Sequence, residues 1–312
     1  MPLFDQIRAS LPALPSFLDD PPPAYAFEIS AGGVAHAVRP AKRGQPPEIG
    51  FRPFESEVLA ISPVNDNVLH ADAFAAHVAA LLRLNGRRRD AAVILPDYCA
   101  RVAILDFDSF SGNKEEQLSL VRFRMKKTVP FDLDTAAVSY HARKAANGHT
   151  EAVVVAAARD IVTRYEAPFR AAGFNPGLVT TSTLAALDLL PASGLAILTK
   201  LAGPVLTVAL CDGRDPKLVR CVELADMNLD EVMAVLYPTV AFAEDTLGRR
   251  PDRIVACGFG GGAPIGMDVQ SLANACVADL SLETELLRST WGPAHAHDAG
   301  LLGWFSAQEG GH

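Results

Sequence analysis

One pattern occurs twice along this chain, once in each half. In each copy, short segments of alternating apolar residues are broken by glycine-containing turns, and a helix and one further buried strand follow. Alternation with a period of two predicts strands, and glycine predicts the tight turns between them. Two such units predict two α/β lobes, because each meander of strands needs a helix to cover its apolar face.

The first copy begins at residue 24. Its predicted segments are strands over Ala24–Ser30, Val34–Arg39 and around Val58–Ile61, a helix over Ala71–Leu84 capped near Gly86, and a strand over Ala91–Leu95. The apolar positions of the helix share one face, which predicts that the helix packs on the sheet.

The second copy begins at residue 195. Its predicted segments are strands over Leu195–Thr199, Val205–Leu210 and Leu218–Leu224, a helix over Leu229–Leu247, and a strand over Arg253–Cys257. The stretch from Leu224 to Arg253 has room for one helix and little else.

A block without the repeated pattern separates the two copies. It is predicted to contain an extended segment over Pro96–Phe107, a helix over Asn113–Thr128, a strand over Val153–Ala158 and a helix over Asp160–Ala172. Residues 1–23 end in a run of prolines, which disfavours regular structure and predicts an arm before the first lobe.

Charge and composition exclude several classes of protein. The net charge is −8 without a concentrated basic stripe, which argues against nucleic-acid binding. Two basic clusters are interpreted as solvated helix ends, with an acidic partner or anionic lipid as the alternative; they are Arg87–Arg89 and the group Arg122, Arg124, Lys126 and Lys127. The five cysteines are dispersed without a CxxC pair, which is typical of reduced thiols in the cytosol. We also find no apolar run long enough to cross a membrane.

Three stretches of the middle block resemble the PilM family of type IV pilus assembly proteins. They are "ILPDYCARVAILDF", "EEQLSLVRFRMKKTVPFDLDTAAVSYH" and "AVVVAAARDIVTRYEAPFRAAGFNPGLVTTSTLAAL", and Pro130–Asp134 is the most specific piece. The resemblance extends over roughly residues 24–305, and Ala299–Gly303 is similar to the final helix of the family. The family is related to the cell-division protein FtsA and to the cytoplasmic domain of the secretion protein GspL.

This resemblance implies an α/β protein with the actin-like ATPase fold. Two ribonuclease-H-like lobes are expected: residues 24–190, with a small α+β subdomain inserted at about 96–150, and a reduced second lobe over 191–312.

The resemblance also locates a nucleotide site, at which two of three loops depart from the family's pattern. In the first loop, Glu28 stands where the family has Asp, Ser30 where it has Gly, and Ala35 where it usually has Lys. In the second loop, Thr199–Leu201 replaces Asp-x-Gly, which removes the acid that would order Mg²⁺. The glycine-rich third loop, from Ile254 to Ala263, is retained.

We therefore expect a pseudo-ATPase that is not an enzyme, has no catalytic residues and holds no cofactor. ATP–Mg²⁺ binding is the alternative, and it would use the residues of the first and third loops: Glu28, Ser30, Gly32, Gly33, Gly258, Gly260, Gly261 and Gly262.

The function that the resemblance implies is that of a cytoplasmic scaffold. PilM-like proteins bind a short cytoplasmic N-terminal peptide of PilN, an inner-membrane partner, and are held at that membrane through it. The matching segments contribute five candidate groove residues: Pro96, Arg101, Arg122, Phe123 and Phe131. Two alternatives stay open: an ATP-binding ATPase or kinase of the same superfamily, and a GspL-like hub that recruits a motor ATPase.

A histidine pair near the C-terminus is the remaining candidate for chemistry. His295 and His297 precede Asp298, but we find no further ligand with suitable spacing. We interpret the segment as a solvated loop before the last helix, without a metal.

Overall fold

The structure is a computed structural model that describes residues 22–40, 42, 44–81, 89–110, 112–145, 148–260 and 264–310. The predicted arm, apart from Pro22 and Pro23, and the predicted cap at Gly86 lie outside the described residues. The chain divides into two compact units. The first holds Pro22–Val38 and Gly50–Thr181, and the second holds the described residues of Arg39–Ile49 and Ser182–His312.

Among the described residues, the first unit contains eight strands and three α-helices, and the third strand begins in residues of the second unit. They are β1 (Tyr25–Ser30), β2 (Gly33–Val38), β3 (Glu48–Pro53), α1 (Ala71–Ala79), β4 (Asp90–Leu95), β5 (Ala100–Phe107), α2 (Lys114–Met125), β6 (Ala137–Lys144), β7 (Thr150–Ala157), α3 (Arg159–Ala171) and β8 (Asn175–Thr181). Its main sheet has the order β3-β2-β1-β4-β8. β1 pairs antiparallel with β2 and parallel with β4, which in turn is parallel to β8.

A second, three-stranded sheet in the order β5-β7-β6 forms the inserted part of this unit. All its pairings are antiparallel. α2 covers one face of the sheet through Val121 and Met125, which are fully buried. The Asn113 side chain caps this helix by accepting a hydrogen bond of 2.9 Å from the Glu115 amide, which satisfies an N–H group without a partner in the helix.

The second unit repeats the topology of the first. Its elements are α4 (Ser182–Ala186), β9 (Leu195–Ala202), β10 (Val205–Asp212), β11 (Asp215–Glu223), α5 (Leu229–Leu247), β12 (Arg253–Cys257), α6 (Val269–Ala275), β13 (Thr284–Leu286), β14 (Arg288–Ser289), β15 (Gly292–Pro293) and α7 (Ala299–Gly310). The main sheet has the order β11-β10-β9-β12-β13, with antiparallel pairs on one side of β9 and parallel pairs on the other. This matches the order of the first sheet strand for strand, so the repeated sequence pattern corresponds to a repeated fold.

The third strand of the first sheet was predicted in the wrong place. It is Glu48–Pro53, not Val58–Ile61. Every residue of β3 is at least partly exposed, so the strand lacks the apolar alternation by which strands are recognised. Val58 and Leu59 are buried, but they close a local loop in which the Ala60 amide donates to the Asn67 carbonyl at 2.9 Å.

None of the helices in the described part of the chain combines the length and apolarity that crossing a bilayer requires.

Candidate functional site

The first predicted phosphate loop is the turn between β1 and β2. Glu28 lies inside β1 between its neighbours Ala35 on β2 and Ile94 on β4, and it is only 1% exposed. Ser30 ends the strand, and its hydroxyl donates to the Gly33 carbonyl at 3.0 Å. The serine hydroxyl therefore already closes the turn.

The two glycines of this turn have different surroundings. A Cβ on Gly33 would lie 2.3 Å from the Arg52 carbonyl oxygen, so this glycine permits β3 to approach the turn. A Cβ on Gly32 would meet nothing within 4 Å. Of the pair, Gly32 is thus the one whose surroundings leave space for a ligand.

The second predicted loop is not a loop in the structure. Thr199 and Lys200 lie within β9 and are 0% and 2% exposed, and the turn to β10 comes later, at Gly203 and Pro204. Lys200 is paired with Thr207 on β10 and with Cys257 on β12. These positions form the middle of a sheet.

The third predicted loop follows β12. Gly258 has a φ of +86°, and a Cβ there would lie 1.9 Å from the Leu201 carbonyl oxygen. Gly260 meets nothing within 4 Å. Gly261 and Gly262 lie outside the described residues. Gly258 is therefore required by the packing of β12 beside β9, whatever the loop binds.

These surroundings fit ATP–Mg²⁺ poorly. A magnesium ion takes oxygen ligands and keeps several waters, so it needs a carboxylate at an accessible loop. Glu28 is enclosed within its sheet, and the second loop position offers a buried threonine and a buried lysine instead of an acid.

We expect ATP and Mg²⁺ to leave the thermal midpoint of the protein unchanged. A ligand that binds the native state and is present at about 100 times its dissociation constant stabilises that state by about 2.7 kcal/mol, which a melting curve resolves readily. Differential scanning fluorimetry with ATP, with and without Mg²⁺, checks this. A Mg²⁺-dependent rise of several degrees would revive the nucleotide site.

We expect Thr199→Val to stabilise the protein by about 1 kcal/mol, because a buried hydroxyl without a partner carries a desolvation cost that a methyl group avoids. The Thr199 hydroxyl has no hydrogen-bond partner among the described residues. Urea denaturation measures the effect. Thr239→Val is the matched control, since the fully buried Thr239 hydroxyl donates to the Val235 carbonyl at 2.7 Å. A gain in the control as large as that of Thr199→Val would contradict the explanation.

The predicted partner-binding residues gather around α2 and the three-stranded sheet. Phe123 points away from the core and is 74% exposed, although Val121 and Met125 on the same helix are fully buried. Arg122 beside it is half-buried, and its Nε atom has no hydrogen-bond partner among the described residues. Aromatic residues and arginine are enriched at protein interfaces, so this pair is compatible with an interaction site.

The sheet beneath the helix carries the other candidates. Arg101 is directly opposite Ala156, a member of the core that α2 covers, so Arg101 shares this face of the sheet. Its guanidinium lies 5.2 Å from the centre of the Tyr98 ring. Phe131 packs, half-buried, against the same core. Pro96 precedes the 3₁₀ turn that leads into β5 and has the extended φ and ψ angles of −58° and 141°.

The comparisons with known proteins agree with this architecture. No protein-family model matches the chain, and the search of curated proteins returns no match. Among solved structures, the fold is that of the actin-like ATPases. A chain of the PilM–PilN type IV pilus biogenesis complex is 17% identical, with 92% of this chain and 98% of that chain covered and a TM-score of 0.71. A Bacteroides thetaiotaomicron protein with an actin-like ATPase fold is 10% identical, with 89% and 94% covered and a TM-score of 0.53.

The predicted fold class is therefore confirmed: this is an α/β protein with a PilM-like version of the actin-like ATPase fold.

Proposed function

We propose that this protein is a PilM-like scaffold of type IV pilus assembly that binds the cytoplasmic N-terminal segment of a PilN-like inner-membrane protein. In this proposal it works in the cytoplasm, is held at the inner membrane by that partner, and does not depend on ATP hydrolysis. The observation that carries the proposal is the similarity in fold to a chain of the PilM–PilN complex along nearly the full length of both chains.

The three-stranded sheet supports an extended peptide as the ligand. β5 and β6 are its outer strands, and each is paired with β7 on one side in the described part of the chain. An outer strand offers a row of backbone donors and acceptors, and an extended peptide can join it as a further strand. We place the peptide beside β5, next to Pro96 and Arg101.

The surface of α2 indicates which residue types the peptide would contain. Phe123 supplies an exposed aromatic contact, and aromatic residues and arginine dominate the binding energy of many interfaces. The same end of the helix carries four positively charged residues, Arg122, Arg124, Lys126 and Lys127. We therefore expect a peptide with apolar anchors and carboxylates, whose affinity falls as salt rises.

The test is the binding of a fluorescent synthetic peptide with the N-terminal sequence of the PilN-like protein of the same organism. We expect saturable binding by fluorescence anisotropy, and we expect Phe123→Ala to weaken it by about tenfold or more, as for a central aromatic contact. Phe51→Ala on β3 is the matched control, since Phe51 is also an exposed phenylalanine of the first unit, at 40%.

Failure of the wild-type protein to bind at low salt would overturn the proposed partner. Equal losses in the two variants would overturn the proposed place of binding, because the effect would then not depend on α2.

A further inference from the structure

The segment before α7 brings three metal-binding side chains together. The Nδ1 atom of His295 lies 3.1 Å from the Oδ2 atom of Asp298, and the Nε2 atom of His297 lies 3.9 Å from the same oxygen. All three ligand atoms lie within 4.8 Å of one another. Spacing along the chain does not indicate that the Asp298 carboxylate turns back onto both imidazoles, so the sequence alone favours a solvated loop here.

We propose that His295, His297 and Asp298 bind a divalent transition-metal ion, with Zn²⁺ as the best fit and water completing the coordination. Zn²⁺ takes imidazole nitrogen and carboxylate oxygen at about 2.0–2.2 Å, so two of its ligands in a tetrahedral site are about 3.4 Å apart. The distances of 3.1 and 3.9 Å bracket that value, so the three ligand atoms are close enough to share one ion once the imidazole rings reorient and the hydrogen bond between His295 and Asp298 is given up.

The backbone around the cluster is already fixed without a metal. The other carboxylate oxygen of Asp298, Oδ1, accepts a hydrogen bond of 2.7 Å from the His295 amide. The Asp298 carbonyl accepts one of 2.9 Å from the Leu302 amide, in the first turn of α7. One carboxylate oxygen thus holds the turn and leaves Oδ2 to face the two imidazoles. The backbone of the segment is therefore ordered before an ion binds, and little backbone entropy remains to be lost on binding.

The exposure of the three side chains also favours binding of an ion from solvent. The side chains of His295 and His297 are 59% and 38% exposed, and that of Asp298 is 12% exposed. An ion can therefore enter from solvent and meet a carboxylate that is largely withdrawn from water. The two imidazole rings are stacked, at an angle of 13° with their centres 5.4 Å apart, so at least one ring must rotate before both nitrogens point at the same ion.

The position of the cluster indicates what a bound ion would hold. Ala294 is buried in the core around β12, and the methyl group of Ala296 would lie 3.2 Å from a Cβ on Gly258. The metal would therefore fix the loop that borders the turn after β12 and leads into α7. This role is structural, and it is independent of the peptide site on the first unit.

The test is a calorimetric titration of Zn²⁺ into the full chain, prepared without an affinity tag and stripped of metal with EDTA. We expect one ion per chain and a rise in the thermal midpoint. His295→Gln, His297→Gln and Asp298→Asn should each weaken binding by about tenfold or more, which is the lower range for disturbing a metal site. Asp298→Asn keeps an oxygen that can accept the His295 amide, so a loss of affinity in this variant is due to the missing ligand charge.

His149→Gln is the matched control, since His149 forms a simple pair with Asp108 at 3.0 Å in the first unit. Co²⁺ gives an independent readout, because visible absorption bands of high intensity report a tetrahedral site. Absence of Zn²⁺ binding by the wild-type chain would overturn the proposal. So would binding that all three site variants retain, since the ion would then sit elsewhere.

Discussion

Gly258→Ala is expected to lower the free energy of unfolding by about 2–5 kcal/mol, the sum of a left-handed backbone cost of about 1–2 kcal/mol and an overpacking cost of about 1–3 kcal/mol. The residue has a φ of +86°, and the added methyl group would lie 1.9 Å from the Leu201 carbonyl oxygen. That atom belongs to the backbone of β9 and cannot rotate away. Urea denaturation followed by circular dichroism measures the loss.

Gly260→Ala is the control for this prediction. A Cβ at Gly260 would meet nothing within 4 Å, so we expect a change within about 0.5 kcal/mol, as for an ordinary surface substitution. If both variants were equally stable, the explanation that a Cβ at Gly258 collides with the backbone of β9 would be contradicted. The pair of variants also distinguishes a packing role of the loop from a nucleotide-binding role. A loss of stability in Gly258→Ala that is measured without nucleotide is due to packing.

Phe169→Ala is expected to destabilise the first unit by about 3–5 kcal/mol, the range for removing a large aromatic side chain from a core. Phe169 on α3 is fully buried, and its ring centre lies 4.8 Å from that of Phe27 on β1 and 6.3 Å from that of Phe74 on α1. The substitution leaves a cavity among three elements. Chemical denaturation of the full chain, with a probe that reports the first unit, checks the magnitude.

Phe123→Ala makes the same chemical change at an exposed position. Because Phe123 is 74% exposed, we expect its removal to change the free energy of unfolding by no more than about 0.5 kcal/mol. The same variant is expected to lose affinity for the partner peptide. A large loss of stability in Phe123→Ala would mean that this side chain belongs to the core and would remove it from the proposed binding surface.

For elements with strong local signals, the first and last residues could be predicted from the sequence. α5 has the limits that its apolar pattern predicts. In the structure, Asn228 accepts a hydrogen bond of 3.0 Å from the Glu231 amide at one end, and Gly248 adopts a φ of +62° at the other. β12 was also predicted at its observed limits, since its buried apolar run ends at a glycine. Such caps and turns are encoded by residues within a few positions of one another.

Other features depend on contacts between distant residues and could not be found in this way. β3 is a strand because it pairs beside β2, and its own side chains are exposed. The displacement of Thr199 and Lys200 from the turn into the interior of β9 follows from pairing with β10 and β12. The convergence of Asp298 on two histidines depends on how the chain turns into α7, which spacing along the sequence does not specify.

The site predictions also depend on whether a residue's role follows from local sequence or from contacts between distant residues. The resemblance places Pro96, Arg101, Arg122, Phe123 and Phe131 in segments that the structure collects around one small sheet and its helix. Their role in binding a partner stays a prediction. The glycines of the first and third loops have packing explanations at Gly33 and Gly258, so their presence in the sequence is not by itself a sign of a nucleotide site.

The measurement that tests the proposed function most directly is a titration of the PilN-like N-terminal peptide into the full chain, with and without a large excess of ATP–Mg²⁺. We predict saturable binding with the same affinity in both conditions, within about twofold, because no coupling between a nucleotide and the peptide surface is part of the proposed function. Absence of peptide binding, or binding that requires ATP–Mg²⁺, would contradict the proposal that this protein is a nucleotide-independent scaffold.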